Sequence, residues 1–268
     1  MKLEVLISCM HQADDELVRK SRITGDAVVI NQCDRAGYEE YPTPNGRARM
    51  FRTTQRGVTK SRNLAITKAQ ADICLLCDDD ETFEADYEAK ILGAYEELPQ
   101  ADVIVFKIGN WRNALGERTC RIRFPQTMKV SSVQISFRRQ SLLDGDIRFD
   151  ELLGAGSGNG AEEELKFLTD CEKAGLKIFF VPVTVAALAS EESTWFGGFT
   201  EQFFENRGAT TRYILGTGLA LLYAVYYIIR KRGLYRQSIT PARALRATFR
   251  GIRENKIGKQ RKELENLK

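Results

Sequence analysis

Ile73-Cys74-Leu75-Leu76-Cys77-Asp78-Asp79-Asp80-Glu81 sets five apolar residues directly against four carboxylates. The apolar run has the length of a buried strand, and the acidic run ends it. Four adjacent carboxylates repel one another unless positive charge sits among them, and a divalent cation meets that need. In extended backbone alternate residues share a face, so Asp78 and Asp80 are expected to point one way and Asp79 the other. Carboxylate oxygens without histidine or thiolate favour Mg²⁺ or Mn²⁺ over zinc. A solvated acidic turn closing the strand is the competing reading. The strand-end position favours a site, because ligands of open α/β sheets gather at the carboxyl ends of the strands.

Working outward, Leu3 to Cys9 and Ala27 to Asn31 read as further short apolar strands, Val58 to Gln70 and Ala85 to Leu98 as helices, and Asp102 to Ile108 as a strand. This alternation predicts an α/β fold with a mostly parallel central sheet. Gln32 to Gly57 holds Gly37, Pro42, Pro44, Asn45 and Gly46 without sustained periodicity and is expected to be an irregular, ligand-covering loop. Farther on, Arg118 to Phe124 and Val133 to Phe137 read as strands of a less regular half. Gly154 to Gly160 (GAGSGNG) is a flexible loop, followed by a helix from about Ala161 to Ala174 that stops at Gly175. A last strand, Lys177 to Val181, is closed by Pro182.

Composition narrows the function. The 268 residues are 43% hydrophobic and 28% charged, which suits a globular domain with an appendage rather than disorder. A net charge of only +4 argues against a nucleic-acid partner. From Arg230 to Lys268 thirteen Lys and Arg face three Asp and Glu, so an acidic body carries a basic tail. Six cysteines in a chain of this length, several inside apolar runs, fit a reducing compartment better than a disulfide scaffold. His11 is the single histidine, which excludes a multi-histidine zinc site, and Cys74 and Cys77 belong to a buried strand. Met1 to Met10 alternates like a strand rather than a cleavable leader, so the expected location is cytoplasmic.

Two further clusters bear on chemistry. Glu162-Glu163-Glu164 occupies a helix start, where the dipole alone stabilises carboxylates by about 0.3–1 kcal/mol each. Beside a mobile glycine loop such a carboxylate can also act as general base toward a hydroxyl. Arg56-Gly57-Val58-Thr59-Lys60-Ser61-Arg62-Asn63 is a basic helix start able to face phosphates, or simply a solvated one. No P-loop or G-x-G-x-x-G motif competes for that role.

The strand Val5-Leu6-Ile7-Ser8, the run Arg56-Gly57 through Ser61-Arg62-Asn63, and Cys74 through Asp80 together resemble glycosyltransferase family 2, with its GT-A fold and D-x-D motif. The resemblance spans roughly the first 205 residues. Ile135-Ser136-Phe137-Arg138-Arg139, Phe149-Asp150-Glu151 and Glu163-Glu164-Leu165-Lys166-Phe167-Leu168, leading to Gly175, Ile178 and Val181-Pro182, are similar to the family's later segments. It implies a GT-A domain over 1–205, with Asp80 binding Mn²⁺ or Mg²⁺ directly and Asp78 touching the donor ribose or sharing the metal. Asn31, Gln32 and Asp34 would line the nucleobase pocket, Arg62 would approach the donor diphosphate, and Ser8 and Asp79 would lie with the donor. Glu164 would be the base, with Glu163 its rival. The implied reaction is sugar transfer with inversion from a nucleotide-sugar donor, a UDP-sugar foremost, to a lipid-linked or oligosaccharide acceptor of bacterial surface polysaccharide. A silent sugar-nucleotide or membrane-binding module of the same fold is the alternative.

Residues 206–268 are expected to form a basic, membrane-associating helical tail. Tyr213 to Ile229 is apolar over 17 residues, short of the roughly 20 a crossing needs, so an interfacial or core helix is expected. Crossing would also leave the site on the wrong side of Arg230-Lys231-Arg232. Thr240 and Pro241 then open a helix with Arg243, Arg246, Arg250 and Arg253 on one face and Leu245, Phe249 and Ile252 on another. Each arginine near anionic lipid is worth about 1 kcal/mol, enough together for peripheral attachment at the inner face of the cell membrane. The other reading of this helix is a solvated one with its apolar edge packed on the body.

Overall fold

A computed structural model describes residues 1–109, 114–160, 162–189 and 197–267. Along the chain run β1 (Leu3–Met10), α1 (Glu16–Lys20), β2 (Asp26–Gln32), β3 (Gly37–Thr43), β4 (Gly46–Thr53), α2 (Val58–Lys68), β5 (Ile73–Cys77), β6 (Glu81–Phe83), α3 (Tyr87–Glu97) and β7 (Val103–Ile108). Then follow β8 (Cys120–Arg121), β9 (Ile135–Arg138), α4 (Arg139–Asp144), α5 (Glu163–Lys173), β10 (Ile178–Leu188), α6 (Glu201–Arg230), α7 (Arg232–Tyr235), α8 (Pro241–Glu254) and α9 (Lys256–Asn266). The chain divides into two compact units. One comprises Met1–Asp150 with Glu164–Glu192, the other Glu151–Glu163 with Ser193–Lys268.

The first unit is built on one sheet in the order β3-β4-β2-β1-β5-β9-β7-β10-β6, with β8 beside β10. Strands β4, β2, β1, β5, β7 and β10 point the same way, and the others run against them. The central strands are apolar on both sides because both faces are covered. Val5, Ile7, Leu75 and Cys77 face one core with Tyr87, Ile91 and Tyr95 of α3. Leu6, Cys74 and Leu76 face the other with Ala65 and Ile66 of α2 and Phe167, Leu168 and Cys171 of α5. This is the expected α/β fold with a mainly parallel sheet, and Cys74 and Cys77 lie in the buried strand as anticipated.

Five expectations need correction. The segment from Gln32 to Gly57 is a hairpin, with Pro44 and Asn45 as its two-residue turn and β4 paired in parallel with β2. Pro42 is tolerated there because β3 is the sheet edge, where a missing N–H costs nothing. Pro182 does not close the last strand: β10 continues to Leu188 and carries a register shift between Phe180 and Thr184, an irregularity that accommodates the missing donor. Of the strand expected from Arg118 to Phe124 only Cys120–Arg121 pairs. At Val133, Ser132–Gln134 forms a 3₁₀ turn, and the strand starts at Ile135. The helix expected from about Ala161 begins at Glu163; Ala161 lies outside the described residues.

The second unit is helical around the glycine loop. Gly154, Gly156, Gly158 and Gly160 all adopt positive φ, which any other residue would resist, and Gly154 N donates to Gly160 O at 2.8 Å. Helix α6 extends well beyond the 17-residue apolar run and is broken at Gly216, whose φ of 79° and ψ of 171° leave the helical region. Helices α6 and α8 cross at two glycines. A side chain on Gly208 would land on the carbonyl of Thr248, and one on Gly251 on the carbonyl of Glu205. The small-residue edge of α8, Ala244, Ala247, Thr248 and Gly251, is thereby buried, with Ile252. Arg243 pairs with Glu201 at 2.8 Å and Arg250 with Glu205 at 3.2 Å.

Candidate active site

The parallel strands end together, which collects their terminal residues on one edge of the sheet. Ile7 pairs with Cys77, Cys9 with Asn31 and Met10 with Gln32, so Ser8, Asn31, Gln32 and Asp78 share that edge. Helix α2 starts there too. Its N-terminal Gly57, at φ 122°, donates its N–H to Gln32 Oε1 at 2.8 Å, and Ser61 Oγ donates to Ser8 Oγ at 2.9 Å. The helix is thus seated on the strand ends by the side chains the sequence marks as donor contacts.

The three aspartates do not follow strand alternation. Asp78 leaves β5, and Asp79 and Asp80 form a turn into β6, so the expected opposition of Asp79 to its neighbours does not apply. Asp78 takes two hydrogen bonds from Arg62 Nη2, at 2.9 Å and 3.3 Å, and one from Ser132 Oγ at 3.3 Å. Its own N–H donates to Glu81 Oε1 at 2.7 Å. Arg62 is thus the positive charge among the carboxylates. Asp79 and Asp80 are exposed beside Asp78, and partial desolvation first, then that neighbouring charge, raises both carboxyls above the ordinary range. Glu81 is buried and pushed up further for the same reasons; its Oε2 has no hydrogen-bond partner among the described residues. The end of β10 meets this turn, with Ala189 N donating to Asp80 O at 2.7 Å.

Asp80 and Asp78 fit a hard cation in kind, since their donors are carboxylate oxygens alone. Among the described residues no three His, Cys, Asp or Glu side chains converge. A cation held here would have one or two protein oxygens and would need other ligands for the rest, as Mg²⁺ commonly does.

Beside the aspartates the chain is tied to α5. Asn63 Nδ2 donates to Phe149 O at 2.9 Å, and Phe149 N donates to Asn63 Oδ1 at 2.8 Å. The Phe149 ring lies under the Arg62 guanidinium, 5.4 Å from its centroid, and stacks on Phe167 of α5 at 4.4 Å. A continuous row of contacts therefore runs from Asp78 through Arg62 and Phe149 to Phe167 of α5. Glu164 is half-buried and Glu163 buried.

The nucleobase candidates divide. Asn31 is fully buried, and its amide closes on the backbone of Gln12, donating to its carbonyl at 2.7 Å and accepting from its N–H at 3.0 Å. Asp34 is 89% exposed and paired with Arg56 at 2.6 Å. It lines an open cleft of about 290 Å³ with His11, Gln12, Cys33, Arg35 and Arg52. Sequence reasoning passed over the other five, His11, Gln12, Cys33, Arg35 and Arg52. Arg52 is the most built-in: it donates to the carbonyls of Gln12 and Ala13 at 2.7 Å each and holds Glu39 down to about 2. The available signal was parity, since Arg52 shares a strand face with buried Ala48 and Met50 on β4.

Residues 28–149 match the model of Glycosyl transferase family 2. That stretch, a little under half of the chain, is similar to the family. It contains the hairpin, α2 with Arg62 and Asn63, the aspartate turn, and Phe149 at its last position. Solved structures agree in fold, which is of GT-A type. The chain is 14% identical to the crystal structure of S. aureus TarS 1-349, with a TM-score of 0.56 over 87% of this chain and 73% of that one. With the same protein in complex with UDP-GlcNAc it shares 15% identity at a TM-score of 0.57, covering 89% and 74%. Against the longer S. aureus TarS structure the TM-score is 0.55 over 88% of this chain and 44% of that one, at 15% identity. No curated protein sequence matches the chain. The match supports glycosyl transfer as the reaction class.

Proposed function

We propose that the chain moves a sugar from a nucleotide-sugar donor, a UDP-sugar foremost, to a glycan acceptor with inversion. The observation that carries this reading is the aspartate turn at the common strand edge, gripped by Arg62, inside the segment similar to family 2. The choice of uridine draws on the UDP-GlcNAc complex of the structural relative. Asp80, with Asp78, would hold Mn²⁺ or Mg²⁺, which supplies positive charge against the departing diphosphate. Ser8, Gln32, Asp34 and Asp79 lie with the donor, Asn31 braces the loop over the base, and Arg62 lies toward the diphosphate. The bond from the anomeric carbon to the diphosphate breaks, a bond to the acceptor oxygen forms on the opposite face, and Glu164 takes the acceptor proton, with Glu163 its rival. A lipid-linked acceptor of bacterial surface polysaccharide, reached from the cytoplasmic face of the cell membrane, suits the basic tail.

A panel of nucleotide sugars, read out by diphosphate released in Mn²⁺, tests this. Release by the wild type that Asp80→Ala abolishes supports the enzyme. Equal rates from both proteins across the panel would instead favour the silent module of the same fold.

A further inference from the structure

Helix α6 presents two unlike sides beyond its break at Gly216. Ala220, Ala224, Tyr227 and Ile228 are buried within the helical unit. Leu219, Leu222, Val225, Tyr226 and Ile229 lie on the opposite side of the same turns and are exposed, Leu222 by 69% and Ile229 by 67%. So many large apolar side chains on one exposed stripe call for a covering partner. The charges around them indicate which. Arg230, Lys231 and Arg232 follow the stripe at once, Arg236 comes one turn later, and none has an acidic partner among the described residues. Elsewhere in the unit Arg207 pairs with Glu162, Arg243 with Glu201 and Arg250 with Glu205, while Arg246 and Arg253 of α8 are exposed. An apolar stripe ending in unpaired cations matches a surface with hydrocarbon below and negative headgroups above.

We propose that this stripe of α6, with Arg230, Lys231, Arg232 and Arg236, docks on the surface of an anionic phospholipid bilayer. Helix α6 as a whole is long and apolar enough to cross a membrane, with a mean hydropathy of 1.4 in its most apolar window. The geometry favours lying on the surface. The part after Gly216 spans only about 20 Å, against a hydrocarbon core of about 30 Å, and one of its sides is already packed in protein. The inference relocates the membrane contact of the proposed function from α8, whose small-residue edge is buried on α6, and does not depend on sugar transfer.

The test uses the full chain and sedimentation with phosphatidylcholine vesicles, with and without phosphatidylglycerol. Wild type should sediment with the anionic vesicles and be released by salt. Leu222→Glu with Ile229→Glu, and separately Arg230→Gln with Lys231→Gln and Arg232→Gln, should each weaken binding by about tenfold or more. Arg246→Gln with Arg253→Gln on α8 should leave it within about twofold. All these positions are exposed, and unchanged thermal unfolding would confirm that the variants fold. Undiminished sedimentation of the Glu variant overturns the proposal. So does a lipid-free wild-type dimer, in sedimentation velocity, that Leu222→Glu converts to monomer, because the stripe would then be covered by a second copy. Because diphosphate release needs no vesicle, a failure here and a failure of the transferase reading are separately visible.

Discussion

Arg62, only 3% exposed, spends one guanidinium nitrogen on both carboxylate oxygens of Asp78 while its flat face rests on Phe149. A buried arginine in this position does two jobs. It neutralises the first of the aspartates, and it locks the turn to the segment that leads to α5. Lysine has no planar face to rest on the ring. Arg62→Lys should therefore cost about 1.5–3 kcal/mol of stability, the scale of hydrogen bonds to charged groups, and lower diphosphate release more than the loss of folded protein explains. Thermal unfolding alongside steady-state rates checks both parts.

Asn63 clamps the Phe149 backbone with a reciprocal pair of hydrogen bonds. Asn63→Ala leaves a backbone donor and acceptor unmet in a partly buried place, at about 1–3 kcal/mol each. The melting temperature should fall by at least about 4 °C, as read by circular dichroism. An unchanged melting temperature would mean that the clamp is redundant.

At Gly208 and Gly251 an ordinary rule reverses. Alanine in place of a mid-helix glycine gains about 1 kcal/mol in intrinsic propensity. Here the new methyl would strike the carbonyl of Thr248 or Glu205 across the α6–α8 crossing. Gly208→Ala and Gly251→Ala are each expected to destabilise the chain by about 1–3 kcal/mol. Gly218→Ala, where nothing lies within reach of the added carbon, is the matched control and should not.

Cysteine chemistry gives a pH-dependent expectation. Burial, helped by Asp79, raises the Cys9 thiol from the ordinary 9.0 to about 12, and burial likewise raises Cys74, Cys77 and Cys171. Cys120, at the sheet margin on β8, is half-exposed. A disulfide reagent at pH 8 should label Cys120 first and the buried thiols only on unfolding. A folded-state pKa above the unfolded one means the folded chain holds its thiol protons more tightly. Its stabilising effect is full below pH 9 and is lost as pH climbs toward 12. Unfolding temperatures measured between neutral pH and pH 10 should fall accordingly.

The sequence made the centre of the fold legible and its margins less so. Strand β5 is Ile73–Cys77 as expected because a run apolar on both faces has few other places to go. The β3–β4 hairpin escaped notice because β3 is exposed along most of its length and has no apolar alternation to read. Its prolines and glycine looked like loop chemistry. Pro182 misled for the opposite reason: a strand with a register shift tolerates a residue that a regular one rejects. At the site, the residue types of Asp78, Arg62 and Gln32 could be picked out, but the pairing of Arg62 with Asp78 could not, since it joins a helix to a strand end sixteen residues later. Arg52 was hidden by the neighbouring Arg47 and Arg49, and the strand parity that singles it out requires the hairpin to be known first.

On the proposed reading the aspartate turn grips a nucleoside diphosphate through a divalent cation. Titration calorimetry of UDP into the wild type and Asp80→Asn, each in Mn²⁺ and then in chelator, tests it most directly. The wild type should bind in Mn²⁺, and binding should be lost in chelator and lost in Asp80→Asn. Equal UDP affinity in all four conditions, or none in any, would contradict it.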